Sequence, residues 1–305
     1  MGTRRRQIVF AVLMVLALVS ACGSAEPAGE SAPATPGPVQ PAALVVKVDN
    51  APAARPQTGI GSADVVYVEP VEGGITRLAA VYWSQVPEVV GPVRSVRETD
   101  LELLAQYGTP VLAYSGSAPE LVPLIDQARL VKASPQEVGN AYVRDESKPV
   151  PHNLYVHPAR LPKPEAGQSA LVLPSGPAPS GGRPTATWSV KFQSAAYDLA
   201  WSAGWTISVD GAPLVSADSG PVSAASVVVQ QVSTRTGRFV EDASGTVSPV
   251  VVTVGSGAAV VLRDGAAFDA TWSRPTAADP TRFTTADGTD LPVAPGRTWI
   301  FLVPA

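Results

Sequence analysis

From Leu44 onward the apolar residues of this chain come in short, β-branched runs, each cut off by Pro, Gly or an Asp-Gly pair before a helix can establish itself. Runs of about four to eight residues bounded by turn formers read as strands. Leu44–Val48, Asp64–Val71 and Thr76–Ser84 are three such runs, and Gly91–Val96 is a fourth, set off from the third by the turn-like stretch Gln85–Val90. Beyond residue 186 the same pattern gives Thr187–Gln193, Trp205–Val209, Ser226–Val232, Val250–Val254, Ala258–Arg263, Ala267–Trp272 and Trp299–Val303, with Asp210-Gly211, Asp264-Gly265 and Asp287-Gly288 as hairpin turns. Two helix signals interrupt the first half. Thr99 to Glu102 has the form of a capping box, with Leu101, Leu104 and Ala105 at helical spacing and Gly108 and Pro110 as the stop. Ser117 stands where it would cap a second helix, with Pro119 in the first turn and Leu121, Leu124, Ile125 and Ala128 on one face. A short strand, Val111–Ser115, separates them. The expected class is α+β: an N-terminal α/β layered domain over residues 44–160, a Pro/Gly-rich linker over 161–186, and a β-rich barrel or sandwich over 187–305.

The residues before Leu44 belong to no fold. Arg4, Arg5 and Arg6 precede an unbroken apolar run from Ile8 to Val19, the pattern of a signal peptide over residues 1–21. It ends in Val19-Ser20-Ala21-Cys22, which resembles a bacterial lipobox, so Cys22 is the expected lipidation site and membrane anchor. Residues 22–43 are Pro, Ala, Gly and Ser-rich, a tether that at ~3.1 Å per residue reaches about 60 Å. The expected location is the cell envelope, at the outer face of the cytoplasmic membrane. One cysteine excludes a disulfide framework and a Cys-based zinc site, and two histidines, His152 and His157, narrow what histidine catalysis is open to it. A formal net charge of −4 leaves no footprint for nucleic acid.

Several short motifs occur in order: Asn50 to Gly59 (NAPAARPQTG), Asp64-Val65-Val66-Tyr67, Glu72-Gly73-Gly74-Ile75-Thr76-Arg77, Gly91 to Arg97 (GPVRSVR) and Pro151-His152-Asn153-Leu154-Tyr155. With Arg263-Asp264-Gly265, Trp272 and Pro295 to Trp299 near the C-terminus, they resemble the DUF3048 family of YerB-like bacterial lipoproteins, from about residue 44 to 304. Ala225-Ser226-Val227 departs from that pattern, which carries an asparagine before the valines. The resemblance implies a two-domain envelope lipoprotein and supplies no reaction.

The residues add a site. If Thr76–Ser84 and Gly91–Val96 form an antiparallel hairpin, Arg77 falls opposite Arg97 with Arg94 one pair inward, and like charges so placed call for an anion between them. Two readings are open: Glu69, Glu72, Glu98 and Asp100 neutralise the arginines, or the arginines hold a phosphate or carboxylate. On the second reading Arg77, Arg94 and Arg97 bind the ligand, with Ser115 and Ser117 adding the start of the second helix. The strand–loop–basic strand cadence of Thr76–Val81 and Val93–Arg97 is similar to that of the LytR-CpsA-Psr cell-wall transferases. That resemblance implies a polyprenyl-phosphate or cell-wall glycan ligand, with Mg²⁺ held by Asp100 or Glu72. His152 is the general base if one is needed, Asp100 is the second catalytic candidate, and Asn153 and Tyr155 are ligand contacts. Three functions therefore stand: an anion-binding envelope protein, a Mg²⁺-dependent phospho-glycan transferase or hydrolase, and a noncatalytic scaffold. Trp272 and Trp299 read as core residues, and Trp201 and Trp205 as one side of a turn or short helix.

Overall fold

In the computed structural model, which describes residue 2 and residues 42–165, 173–241 and 245–305, the β-branched runs assemble mainly into one 11-stranded mixed sheet. Apart from residue 2, the expected signal peptide lies outside the described residues, as do Cys22, nearly all of the tether and residues 166–172 of the linker. The described residues from 42 on belong to one compact unit. No helix among the described residues is long and apolar enough to cross a membrane.

Strands β1 (Leu44–Asp49), β2 (Val65–Pro70), β3 (Thr76–Tyr82) and β4 (Val111–Ala113) stand side by side in the order β2-β3-β1-β4. β3 runs antiparallel to both neighbours, and β4 runs parallel to β1. The sheet does not stop where the first half of the sequence does. The C-terminal strand Thr298–Pro304 lies parallel to β2 on one side and parallel to Ser226–Val232 on the other. Gly255–Arg263 and Ala266–Arg274 then extend the sheet in antiparallel sense. Central strands covered on both faces are apolar at successive positions, which accounts for the runs of valine and alanine.

One face of the sheet, carrying Val46, Val66, Leu78, Trp299 and Phe301, packs against a second, five-stranded sheet through Tyr197, Leu199, Trp205 and Ile207. The other face, carrying Val45, Tyr67, Ala79, Ile300 and Leu302, is covered by Leu103, Leu104 and Tyr107 and by Leu121 and Ile125. Leu103 comes from the short helix α1 (Glu98–Leu103) and Ile125 from α2 (Val122–Gln127), while Leu104 and Tyr107 follow α1, and Leu121 precedes α2, in 3-10 turns. The protein is mostly β, two sheets face to face with helical turns over the larger one.

Several expectations are corrected. Gly91–Val96 is not a hairpin partner of β3, because β1 lies between them. The segment meets the far side of β1 through a single bridge, Val48 to Val93, with Arg94 N–H donating to Lys47 O at 2.8 Å, and a second bridge joins Gly91 to Thr58 in the loop after β1. α1 starts two residues earlier than the capping box implied, with Arg97 as the N-cap residue and its N–H donating to Asp100 Oδ2 at 2.7 Å. Thr99 and Glu102 are instead turned outward onto the neighbouring ribbon, Thr99 accepting from Val251 N–H at 3.0 Å and Glu102 from Thr253 N–H at 2.7 Å. Ser117 caps nothing, since the second helical segment begins after Ala118. Trp201 and Trp205 are cross-strand partners of a hairpin, rings 5.5 Å apart, not residues of a helix. The strands Ala196–Trp201 and Thr234–Val240 are additional to those expected.

Candidate functional site

Three charged side chains lie in register across β1, β3 and β2, where Arg77 is paired with Asp49 on one side and Glu69 on the other. They share the face covered by the helices, at its polar end. Two residues further in on β1, Lys47 Nζ reaches Glu69 Oε2 at 3.0 Å and Asp100 Oδ1 at 2.7 Å, and all three groups are buried. After β2 the chain reverses through Gly73 and Gly74, whose φ values of 72° and 71° favour glycine, and this brings Glu72 back under the strand ends. Arg77 Nη2 donates to Glu72 Oε1 at 2.6 Å, Arg97 Nε to Glu72 Oε2 at 2.9 Å, and Arg97 Nη2 also reaches Oε1. Ser248 Oγ adds a fourth bond at 2.5 Å from the Thr234–Val240/Val247–Val251 ribbon, and Glu241 Oε2 lies 3.2 Å from Arg97 Nε. At the other end Asp49 Oδ2 is shared by His152 Nδ1 at 2.7 Å and Arg94 Nε at 3.2 Å.

Burial sets the electrostatics. It works to raise the Glu72 pKa, but the Arg97 hydrogen bonds and the charges of Arg77 and Arg97 hold it down at about 2. Arg77 is lowered to about 10, first by burial and then by the neighbouring Arg97. Burial also opposes the charge on Lys47, yet Asp100 and Glu69 overcome it and keep that ammonium above its ordinary value. Glu69, desolvated and next to Asp100, is raised to about 7, and Glu241 is raised to about 7, again chiefly by burial.

The structure thus brings Arg77, Arg94 and Arg97 together and gives each an acid. Arg77 and Arg97 are only 2% and 3% exposed, so an anion cannot reach them without displacing Glu72. Of the two readings the sequence left open, the pairs at Arg77 and Arg97 are the neutralised one, and these two arginines form no open pocket. Glu72 and Asp100 do not share a cation site: Glu72 is taken up by two arginines and a serine, Asp100 by Lys47 and the Arg97 N–H. Among the described residues no group of three or more His, Cys, Asp or Glu is placed to hold a metal. Ser115 Oγ sits 3.5 Å from Ser95 Oγ near the arginines, and Ser117 is half-buried in the same loop. α1 and α2 are six residues each, too short for the helix-start contribution expected of them. Asn153 and Tyr155 belong elsewhere, on the Tyr142–Arg144/Leu154–Val156 hairpin, where Asn153 Oδ1 accepts from Arg144 at 2.6 Å and Lys148 Nζ lies 5.7 Å over the Tyr155 ring. Of the two catalytic candidates, His152 is bonded to Asp49 and Asp100 to Lys47.

A cleft of 830 Å³ opens on Glu72 and Ser248. It lies at the carboxyl ends of the three parallel strands Val65–Pro70, Thr298–Pro304 and Ser226–Val232. Exposed Lys191 and Arg235 stand at its rim, Arg235 also bonding Glu98, which a second arginine, Arg238, contacts at 2.7 Å. Phe192, Val247, Pro249 and Pro304 give it an apolar wall. Lys47, Asp49, Lys191, Arg235, Glu241 and Ser248 were not anticipated. Lys47 and Asp49 were legible as charges at i and i+2 on one face of an otherwise apolar strand. Lys191 and Arg235 carry no such signal, since they lie on the five-stranded sheet and the Thr234–Val240 ribbon, which only tertiary packing brings near Glu72.

Residues 29–170 match the family model described as "Protein of unknown function (DUF3048) N-terminal domain", and residues 187–300 match its C-terminal domain counterpart. YerB of Bacillus subtilis (strain 168), whose name marks it as a candidate lipoprotein, is 38% identical over 114 residues. That match covers 37% of this chain and spans about a third, 34%, of YerB. The crystal structure of YerB protein from Bacillus subtilis is similar in fold, with a TM-score of 0.71 and 23% identity over 88% of this chain and 92% of that one. The two family models meet across the linker region, while the strands they cover lie as two adjoining blocks of a single sheet. With both models matched in order along most of its length, the chain belongs to the DUF3048 family.

Proposed function

We propose that this protein is an envelope-anchored binding protein for an amphiphilic phosphate of the polyprenyl-phosphate class, held in the cleft above Glu72. The observation that carries the reading is the pairing of two exposed cations, Lys191 and Arg235, with a floor whose one carboxylate is already neutralised by Arg77 and Arg97. The charged residues lining the cleft are Lys191 and Arg235 against Glu72 alone, in a chain whose overall charge is −4. A positive cleft on an acidic protein concentrates an anionic ligand locally. The apolar wall of Phe192, Val247, Pro249 and Pro304 suits the first isoprene units of a tail beside the headgroup. The placement at the carboxyl edge of parallel strands is where open sheets gather ligands.

Titration of the protein with farnesyl pyrophosphate, a soluble short-chain member of the class, tests this. Saturable binding is expected, with inorganic pyrophosphate weaker because it leaves the wall uncovered. Lys191→Ala and Arg235→Ala, both at exposed positions, should each weaken binding about tenfold, equivalent to ~1.4 kcal/mol. No saturation, or equal binding by wild type and both variants, contradicts the proposal.

The anchor is part of the same proposal: lipidated Cys22 and the tether 22–43 hold the cleft at the outer face of the cytoplasmic membrane. The lipoprotein naming of YerB supports it. Cys22→Ala should move the protein from the membrane fraction into the medium, and retention of a processed Cys22→Ala protein in membranes contradicts anchoring through that residue.

A further inference from the structure

A second cleft, 620 Å³, lies at the opposite end of the same parallel pair, beside Val65 at the start of β2 and Thr298 at the start of the C-terminal strand. Its chemistry differs from that of the first. Arg297 is exposed at its rim, and its side chain has no hydrogen-bond or ion-pair partner among the described residues. The backbone beneath it is fixed, because Arg297 O accepts from Ala225 N–H at 2.9 Å, so the guanidinium springs from a rigid point. The half-buried Trp83 lines the same cleft, its indole in tilted contact with Tyr107 at 6.4 Å between ring centroids. Asp64, the one acid in the lining, is consumed locally: Oδ2 accepts from Trp83 N–H at 2.6 Å and Ser84 N–H at 2.9 Å, and Oδ1 from the Ser84 hydroxyl. The exposed hydroxyls of Ser175 and Ser223 have no partner among the described residues, and Ala203, Gly204, Ala225 and Gly296 keep the walls low.

We infer that this cleft is a binding site for a saccharide unit bearing a carboxylate. A guanidinium fork matches a carboxylate in bidentate fashion. An indole face offers a flat amphipathic platform for the C–H face of a pyranose ring. Unengaged hydroxyls and low walls suit a small polyol better than a lipid tail or an extended peptide, and the volume is within the usual range of roughly 300–1,000 Å³ for small-molecule sites. The inference does not rest on the phosphate-binding reading, since the two clefts share no lining residue.

Digalacturonic acid is the probe, titrated into the intact protein beside its dimethyl ester and a neutral disaccharide. The acid should bind saturably, and the ester and the neutral sugar at least tenfold more weakly. Arg297→Gln, at an exposed position that leaves the fold untouched, should reduce affinity for the acid about tenfold and abolish the preference over the ester. Trp83→Phe should weaken all three probes, with Arg129→Ala, at an exposed position outside both clefts, as the control that changes none. Equal binding of acid and ester, an unaltered Arg297→Gln, or displacement of the sugar by an acidic peptide at lower concentration would each overturn the assignment.

Discussion

Glu72 holds two guanidiniums that water scarcely reaches, and it does so with both oxygens. Removing one member of such a buried set leaves the others uncompensated, which costs about 3–5 kcal/mol. Glu72→Ala should therefore lose stability on that scale in urea denaturation, and wild-type stability would show that the arginines find other partners. The acids around it titrate in opposite senses. Glu72 is held below the ordinary 4.5, so its contribution is complete above about 4.5 and fades as pH falls toward about 2. Glu69 and Glu241 are raised to about 7, so the native state keeps protons that the unfolded chain has released, and stability falls as pH rises from 4.5 through 7. Melting temperature should peak in mild acid, and Glu241→Gln should flatten the decline between pH 5 and 8. A Glu241→Gln profile parallel to wild type over that range contradicts the assignment. At this scale the sequence was partly readable. The three arginines do meet near Glu72, Glu69 and Asp100, but the sequence could not say that the acids face inward with them, because that depends on which strand lies between β2 and β1.

Turn chemistry was the most legible feature of the elements. Asp210-Gly211 and Asp264-Gly265 both adopt positive φ at each residue, 52° and 79°, 51° and 70°, as a tight hairpin turn demands. Trp272 and Trp299 are core residues, 2% and 1% exposed, in line with their place in alternating strands. Pairing was less legible. Gly91–Val96 has strand composition, yet it only bridges the end of β1 beyond the point where β4 leaves it, since β4 pairs with Leu44 to Val46 alone. Nothing local distinguishes that role from a hairpin arm. The C-terminal strand is the element on which most depends. Phe301 is fully buried, and its ring meets Tyr197 of the five-stranded sheet edge-on at 4.9 Å. Phe301→Ala should cost about 3–5 kcal/mol. Hydrogen exchange should show protection lost in β2 and in Ala196–Trp201 together, and loss confined to one of them would mean that the two sheets are stabilised separately.

Across the whole molecule, the last strand of the chain sits between the first half and the second, so the two regions matched by the family models are parts of one sheet. A fragment ending at residue 165 would expose the β2 edge that Thr298–Pro304 covers, and it should stay unfolded by circular dichroism until residues 173–305 are supplied. Independent folding of that fragment contradicts the single-sheet account. The same seam creates both clefts, one at each end of the parallel strands, with lining residues more than a hundred positions apart in sequence. Neither cleft was visible in motifs for that reason. The most direct measurement of the functional account is a crystal structure of the protein grown with farnesyl pyrophosphate. The account predicts the headgroup between Lys191 and Arg235 above an intact Glu72–Arg77–Arg97 cluster, with the tail along Phe192 and Pro249. A cleft left empty, or a headgroup bound at Arg94 and His152 instead, would contradict it.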